Sequence, residues 1–174
     1  KEVSILDKLN DMGYEIYLLP YAYARDKMDC YQKSTDSISD NKFLEFKTTP
    51  STGKNAGLNA YKSSRLQAEN VFISLVNETS EQRVINNIYG YINESKRKSE
   101  TEKNFEGFVF LNFEKDNKIV LYNFDKEGKA VRLDNPSHEN LQKFLQEVEF
   151  KKDKGIKNDS QVLENPTNER SSLP

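Results

Sequence analysis

The chain has 174 residues, 31% of them charged and 35% hydrophobic, with a formal net charge of −2. That is enough for one domain with a real core, and it leaves no apolar run near the ~20 residues a membrane span needs and no stretch that reads as a signal peptide. One cysteine, Cys30, and one histidine, His138, exclude an internal disulfide framework and a multi-cysteine zinc site, and leave nucleophilic Cys–His or Ser–His chemistry dependent on a single distant imidazole.

Residues 2–12 read as a helix with Val3, Ile5, Leu6 and Leu9 on one side, and Gly13 fits the left-handed residue that ends it. Tyr14 to Leu19 reads as a strand stopped by Pro20, and 20–27 as a loop. Met28 to Tyr31 is a short strand carrying Asp29, joined through a polar turn at about 33–41 to a strand over Phe43–Thr48, as a hairpin. Ala56–Asn70 reads as a helix with Leu58, Ala60, Tyr61 and Leu66 inward, followed by a buried strand over Val71–Val76. The step from 43 to 76 is expected to be a parallel crossover. Thr79 to Gln82 has the capping-box pattern, opening a helix with Val84, Ile88 and Ile92 on one face and Lys96-Arg97-Lys98 at its end. Phe108–Phe113 and Ile119–Phe124 read as strands around an Asp116-Asn117 turn, and Ser137 caps a last helix bearing Leu141, Phe144, Leu145 and Val148. Residues 1–150 therefore form one α/β domain, a mixed β-sheet flanked by helices; 151–174 lose the apolar period and read as a polar tail or linker. The first residue is Lys1, which suits a segment of a longer polypeptide.

The chemistry concentrates at Phe43-Leu44-Glu45-Phe46-Lys47. Strand alternation points Glu45 and Lys47 one way and Leu44 and Phe46 the other, so one face offers a carboxylate beside an ammonium. Two charges in an apolar strand cost stability unless they act. A hard cation such as Mg²⁺ or Mn²⁺ takes carboxylate, carbonyl and water oxygens, which Asp29, Glu45 and the Phe46 carbonyl could supply, with Lys47 beside the coordinated water. Asp29 sits in an apolar fragment, whereas Asp26, Asp36 and Asp40 lie in turn-like sequence. Glu2 and Gln67 are candidates for supporting roles, although a helix start favours a glutamate in any case. From Lys47 to Arg65 the chain carries Lys47, Lys54, Lys62 and Arg65 and no acid, which suits a phosphate-contacting segment as well as a solvated basic loop.

This set resembles the PD-(D/E)xK nuclease superfamily and, more narrowly, the C-terminal toxin domains of contact-dependent growth inhibition and related polymorphic toxin proteins. The resemblance rests on Glu2 in the first helix, Gly13 to Pro20, Met28-Asp29, Leu44 to Lys47, and Arg65-x-Gln67-Ala68-x-Asn70-Val71-Phe72-Ile73; it covers about residues 1–125. Met28 stands where the family's proline would be. The resemblance implies an αβββαβ core, here with a C-terminal αββα extension, and a catalytic set of Glu2, Asp29, Glu45 and Lys47, with Glu2, Asp29 and Glu45 on the metal. It implies a metal-dependent endonuclease that cuts tRNA ahead of DNA, with Lys54, Lys62, Arg65 and Gln67 on the nucleic acid. A cognate immunity protein would neutralise it, and it would act in the cytoplasm of a target cell after delivery within a larger secreted effector. Two alternatives stay open: a DNA endonuclease of a mobile element (restriction- or resolvase-like, cytoplasmic), and an inactive nuclease-fold binding module.

Overall fold

The apolar runs become strands of one mixed sheet in which every described strand lies beside its neighbour in sequence. The computed structural model describes residues 2–18, 37–39, 42–98, 103–153 and 162–163, with the backbone alone at 2, 3, 18, 37–39, 162 and 163. The elements are α1 (Glu2–Asp11), β1 (Tyr17–Leu18), β2 (Ser37–Ser39), β3 (Lys42–Thr49), α2 (Ala56–Arg65), β4 (Asn70–Leu75), α3 (Glu81–Lys98), β5 (Gly107–Phe113), β6 (Lys118–Phe124), β7 (Ala130–Asp134), α4 (His138–Asp153) and β8 (Val162–Leu163). β3, β4 and β5 run parallel through the crossovers α2 and α3, and the remaining pairings are antiparallel.

The sheet divides two cores. On one face Val71, Ile73, Leu75, Val109 and Leu111 pack against Tyr61 of α2 and Val84, Ile85, Ile88 and Ile92 of α3. On the other, Leu44, Phe46, Phe72 and Phe110 pack against Ile5 and Leu9 of α1 and Leu141 and Phe144 of α4. α1 and α4 are also tied at their ends, where the His138 N–H donates to the Met12 carbonyl at 2.8 Å and the Tyr14 hydroxyl donates to that of Pro136 at 2.6 Å. The α/β mixed sheet and the helix at 2–11 follow the sequence reading, as does the Ser137 cap, whose hydroxyl accepts the Asn140 N–H at 3.2 Å.

Several expectations need correction. The C-terminal extension is αβββα, because Ala130–Asp134 pairs with β6 across the Asp125–Lys129 turn and adds an unforeseen strand. Ser37–Ser39, read as part of a turn, pairs antiparallel with β3; of the expected first strand only Tyr17–Leu18 is extended. α2 ends at Arg65 and not at Asn70, since the Ser64 carbonyl accepts the N–H groups of Gln67 and Ala68, and Leu66 falls past that end at 86% exposure instead of facing the core. The helix α3 is capped one residue later than the expected box, by Ser80, whose hydroxyl accepts the Arg83 N–H at 3.2 Å. Glu78 fixes that turn by accepting the N–H groups of Thr79 and Ser80. Val162–Leu163, within the stretch read as a tail, pairs with Ala130–Val131. The expected 28–31 strand lies outside the described residues, and so does its hairpin. Among the described residues no helix is long and apolar enough to cross a membrane.

Candidate active site on the third strand

β3 is an interior strand that carries charge. Leu44 and Phe46 enter the core under α1 and α4, so pleating turns Glu45 and Lys47 to the α2 face, beside Val71 and Ile73 of β4, their register partners. Glu45 is 4% exposed, while Lys47, nearer the carboxyl end of the strand, is half-buried. β2 pairs only with Lys42 to Leu44, so from Glu45 to Thr49 the other edge of β3 meets no described strand. The helix α2 covers this face through small residues, Ala56, Gly57, Ala60 and Ser64. Gly57 permits its close approach to α3, where an added Cβ would stand 2.8 Å from Val84 Cγ1. The Ser64 hydroxyl is wholly buried and has no hydrogen-bond partner among the described residues.

The segment after β3 is stapled at two points. Asn77 Nδ2 donates to the Pro50 carbonyl and Asn87 Nδ2 to that of Lys54, both at 2.6 Å, which leaves the Lys54 side chain exposed at the head of α2. Lys62 Nζ lies 5.1 Å from the Tyr91 ring centroid. Arg65 is engaged with backbone: Nη1 donates to the carbonyls of Glu69 and Glu106, and Nη2 to that of Asn104. Gln67 lies beyond the far end of the helix, at the amino ends of the parallel strands. Lys54 and Gln67 are thus separated by the ten residues of α2, about 15 Å of helix, so the four nucleic-acid candidates do not form one cluster.

The structure brings together Glu45 and Lys47 of the expected catalytic set. Glu2 opens α1, whose packed side chains Ile5 and Leu9 meet the opposite face of the sheet. Asp29 lies outside the described residues. Among those described, no three or more His, Cys, Asp or Glu side chains gather in a way that could hold a metal ion. Glu45 is a hard oxygen donor of the kind that Mg²⁺ or Mn²⁺ takes, and among the described side chains it is the one member of the expected metal set on this face.

Sequence reasoning passed over two polar networks. Ser74 and Asn112 are register partners in β4 and β5, both wholly buried, and they link Lys8 to Glu114: Lys8 Nζ donates to Asn112 Oδ1 at 3.0 Å, Asn112 Nδ2 to Ser74 Oγ at 3.0 Å, and the Ser74 hydroxyl to Glu114. The signal was legible as one polar residue inside each apolar run. The second network gathers Lys118, Tyr122 and Arg132 on Glu81. No family model, curated protein or solved structure matches the chain.

Proposed function

We propose that the chain is a divalent-metal-dependent endonuclease domain, acting on RNA, with tRNA ahead of DNA. The observation that supports the reading is Glu45, a carboxylate buried on an interior strand, two residues from Lys47 on the same face. Both sit within a helix, three antiparallel strands, a helix and a parallel strand, the order expected of a PD-(D/E)xK core.

A buried carboxylate is a hard oxygen donor of the kind that Mg²⁺ or Mn²⁺ takes. In this reading Glu45 and Asp29 hold the metal, and Glu2, on the helix that packs against the opposite face of the sheet, stands apart from Glu45. A bound Mg²⁺ or Mn²⁺ would supply charge neutralisation at the phosphate and a more acidic coordinated water. Lys47, about 6 to 7 Å along the strand, orients the attacking water or stabilises charge on the phosphate oxygens. Lys54 and Lys62, toward the start and end of α2, would meet flanking phosphates, and Gln67 would touch the substrate beyond the helix. The fuller reading, a toxin domain delivered within a larger effector and held by an immunity protein, rests on the residues quoted for the resemblance.

The test is cleavage of total tRNA and of plasmid DNA by the purified chain in Mg²⁺ and in EDTA, with Glu45→Ala and Glu45→Gln beside the wild type. Metal-dependent cleavage that falls by about 10² to 10³ or more in both variants is expected. Folding is checked by circular dichroism. Wild-type protein that cuts neither substrate and binds no metal by calorimetry overturns the reading.

A further inference from the structure

The amino ends of β3, β4 and β5 carry a pocket that no step above uses. Its inner chamber, about 200 Å³, is walled by Tyr14, Leu44, Phe108, Phe110, Leu141 and Leu145, between the sheet and α4. Apolar cavities of about 150 Å³ accept a benzene-sized ring, whereas drug-sized ligands fill roughly 300–1,000 Å³. The chamber therefore suits one flat ring system. Among the described residues no carboxylate lines it, and at its mouth Lys42 Nζ stands 4.5 Å from the Phe108 ring centroid. Past Lys42 the chamber opens into a wider polar cleft bordered by the amides of Gln67 and Asn123 and by Glu69 and Glu106.

We propose that this pocket binds a nucleotide, the base in the aromatic chamber and the phosphate at Lys42. Faces of Phe and Tyr rings accept any base by stacking, and an ammonium at the mouth, with no acid inside among the described residues, complements one phosphate. A purely aliphatic occupant would have no use for Lys42, and a bare anion none for the chamber. The same chemistry serves a free mononucleotide or one base of a strand. Only the latter use, as a subsite that grips the cleaved strand, rests on the nuclease reading.

The experiment is a titration of isotope-labelled wild-type protein in EDTA, followed at the methyl groups of Leu44, Leu141 and Leu145. The probes are adenosine and uridine 5′-monophosphates, adenosine, ribose 5-phosphate and a short single-stranded oligonucleotide. A monophosphate or the oligonucleotide should shift these methyls saturably. Which of the two does so identifies the source of the base. Leu145→Trp, which fills the chamber from α4, should weaken binding about tenfold or more. Lys42→Gln should bring a monophosphate down to the affinity of adenosine. Lys42 is exposed and Leu145 half-buried, so both variants should fold. Methyls that stay still with every probe, or shifts indifferent to both substitutions, overturn the proposal. Oligonucleotide binding that moves only residues around Lys47 and Lys54 overturns it too, while leaving the nuclease reading intact.

Discussion

Glu81 opens α3 and accepts hydrogen bonds from three partners, Tyr122 Oη at 2.6 Å, Arg132 Nε at 2.7 Å and Lys118 Nζ at 2.9 Å. Burial works to raise its carboxyl, and the bonds from Arg132, Tyr122 and Lys118 outweigh burial and hold it at about 2 against an ordinary 4.5. A depressed carboxyl stabilises the fold above its unfolded value and loses that contribution as the pH falls toward its folded one. Chemical denaturation between pH 7 and pH 2.5 should therefore show a loss of about 2 to 3 kcal/mol from this residue. Most of the loss should fall between pH 4.5 and 2.5, and Glu81→Gln should lose less over the same span. Parallel curves for the two proteins would assign the acid sensitivity elsewhere; Glu78, where burial is outweighed by the Ser80 N–H and Arg83, is the next candidate. At the alkaline end Tyr61 has the opposite sign. Burial pushes its phenol up to about 12, so its contribution holds below the ordinary 10.0 and is lost as the pH rises from there.

At the scale of elements, the junction of α2 with β5 depends on a residue without a side chain. Gly107 has φ +147°, and a Cβ there would stand 2.1 Å from the Glu69 carbonyl oxygen that Arg65 also holds. Gly107→Ala should cost several kcal/mol through backbone strain and the broken Arg65 clamp, read as a lower urea midpoint. Arg65→Lys should reproduce part of it, because an ammonium cannot span three carbonyls. A Gly107→Ala protein with an unchanged midpoint would show that this contact is soft. The long apolar elements were readable in the sequence for a simple reason: β4 and β5 are buried along their whole length, and α3 repeats Val84, Ile88 and Ile92 at helical spacing. β7 was not, since Ala-Val-Arg-Leu-Asp mixes half-buried and charged positions and owes its strand to the turn before it. α2 was read too long because helical period continues on paper through Leu66, whereas Asn70 is claimed by the sheet, donating to the Phe43 carbonyl and accepting the Phe108 N–H. Of the candidate site, Glu45 and Lys47 were legible from alternation alone. Their burial difference was not, because it depends on what α2 lays over them.

For the molecule as a whole, the two cores share the sheet, and Phe72 lies at the centre of the α1–α4 side. Its ring centroid is 5.6 Å from that of Phe110 and 6.2 Å from that of Phe46. Phe72→Ala should cost about 3–5 kcal/mol, a large share of the roughly 5–15 kcal/mol that holds a domain folded. Equilibrium unfolding by urea should show a much lower midpoint. Loss confined to one spectroscopic probe, with the rest of the transition unmoved, would mean that the two cores melt apart.

The strand order also sets how the protein can be made. Because each described strand pairs with the one before it, a chain emerging from its amino end can add strands at a growing edge. None has to be threaded between two already in place, and none waits for a partner made much later. The long connections through α2, α3 and α4 each contain a helix that forms locally and shortens the loop to be closed. Such a sheet grows outward from β1, and its unfinished form has a single growing edge at a time.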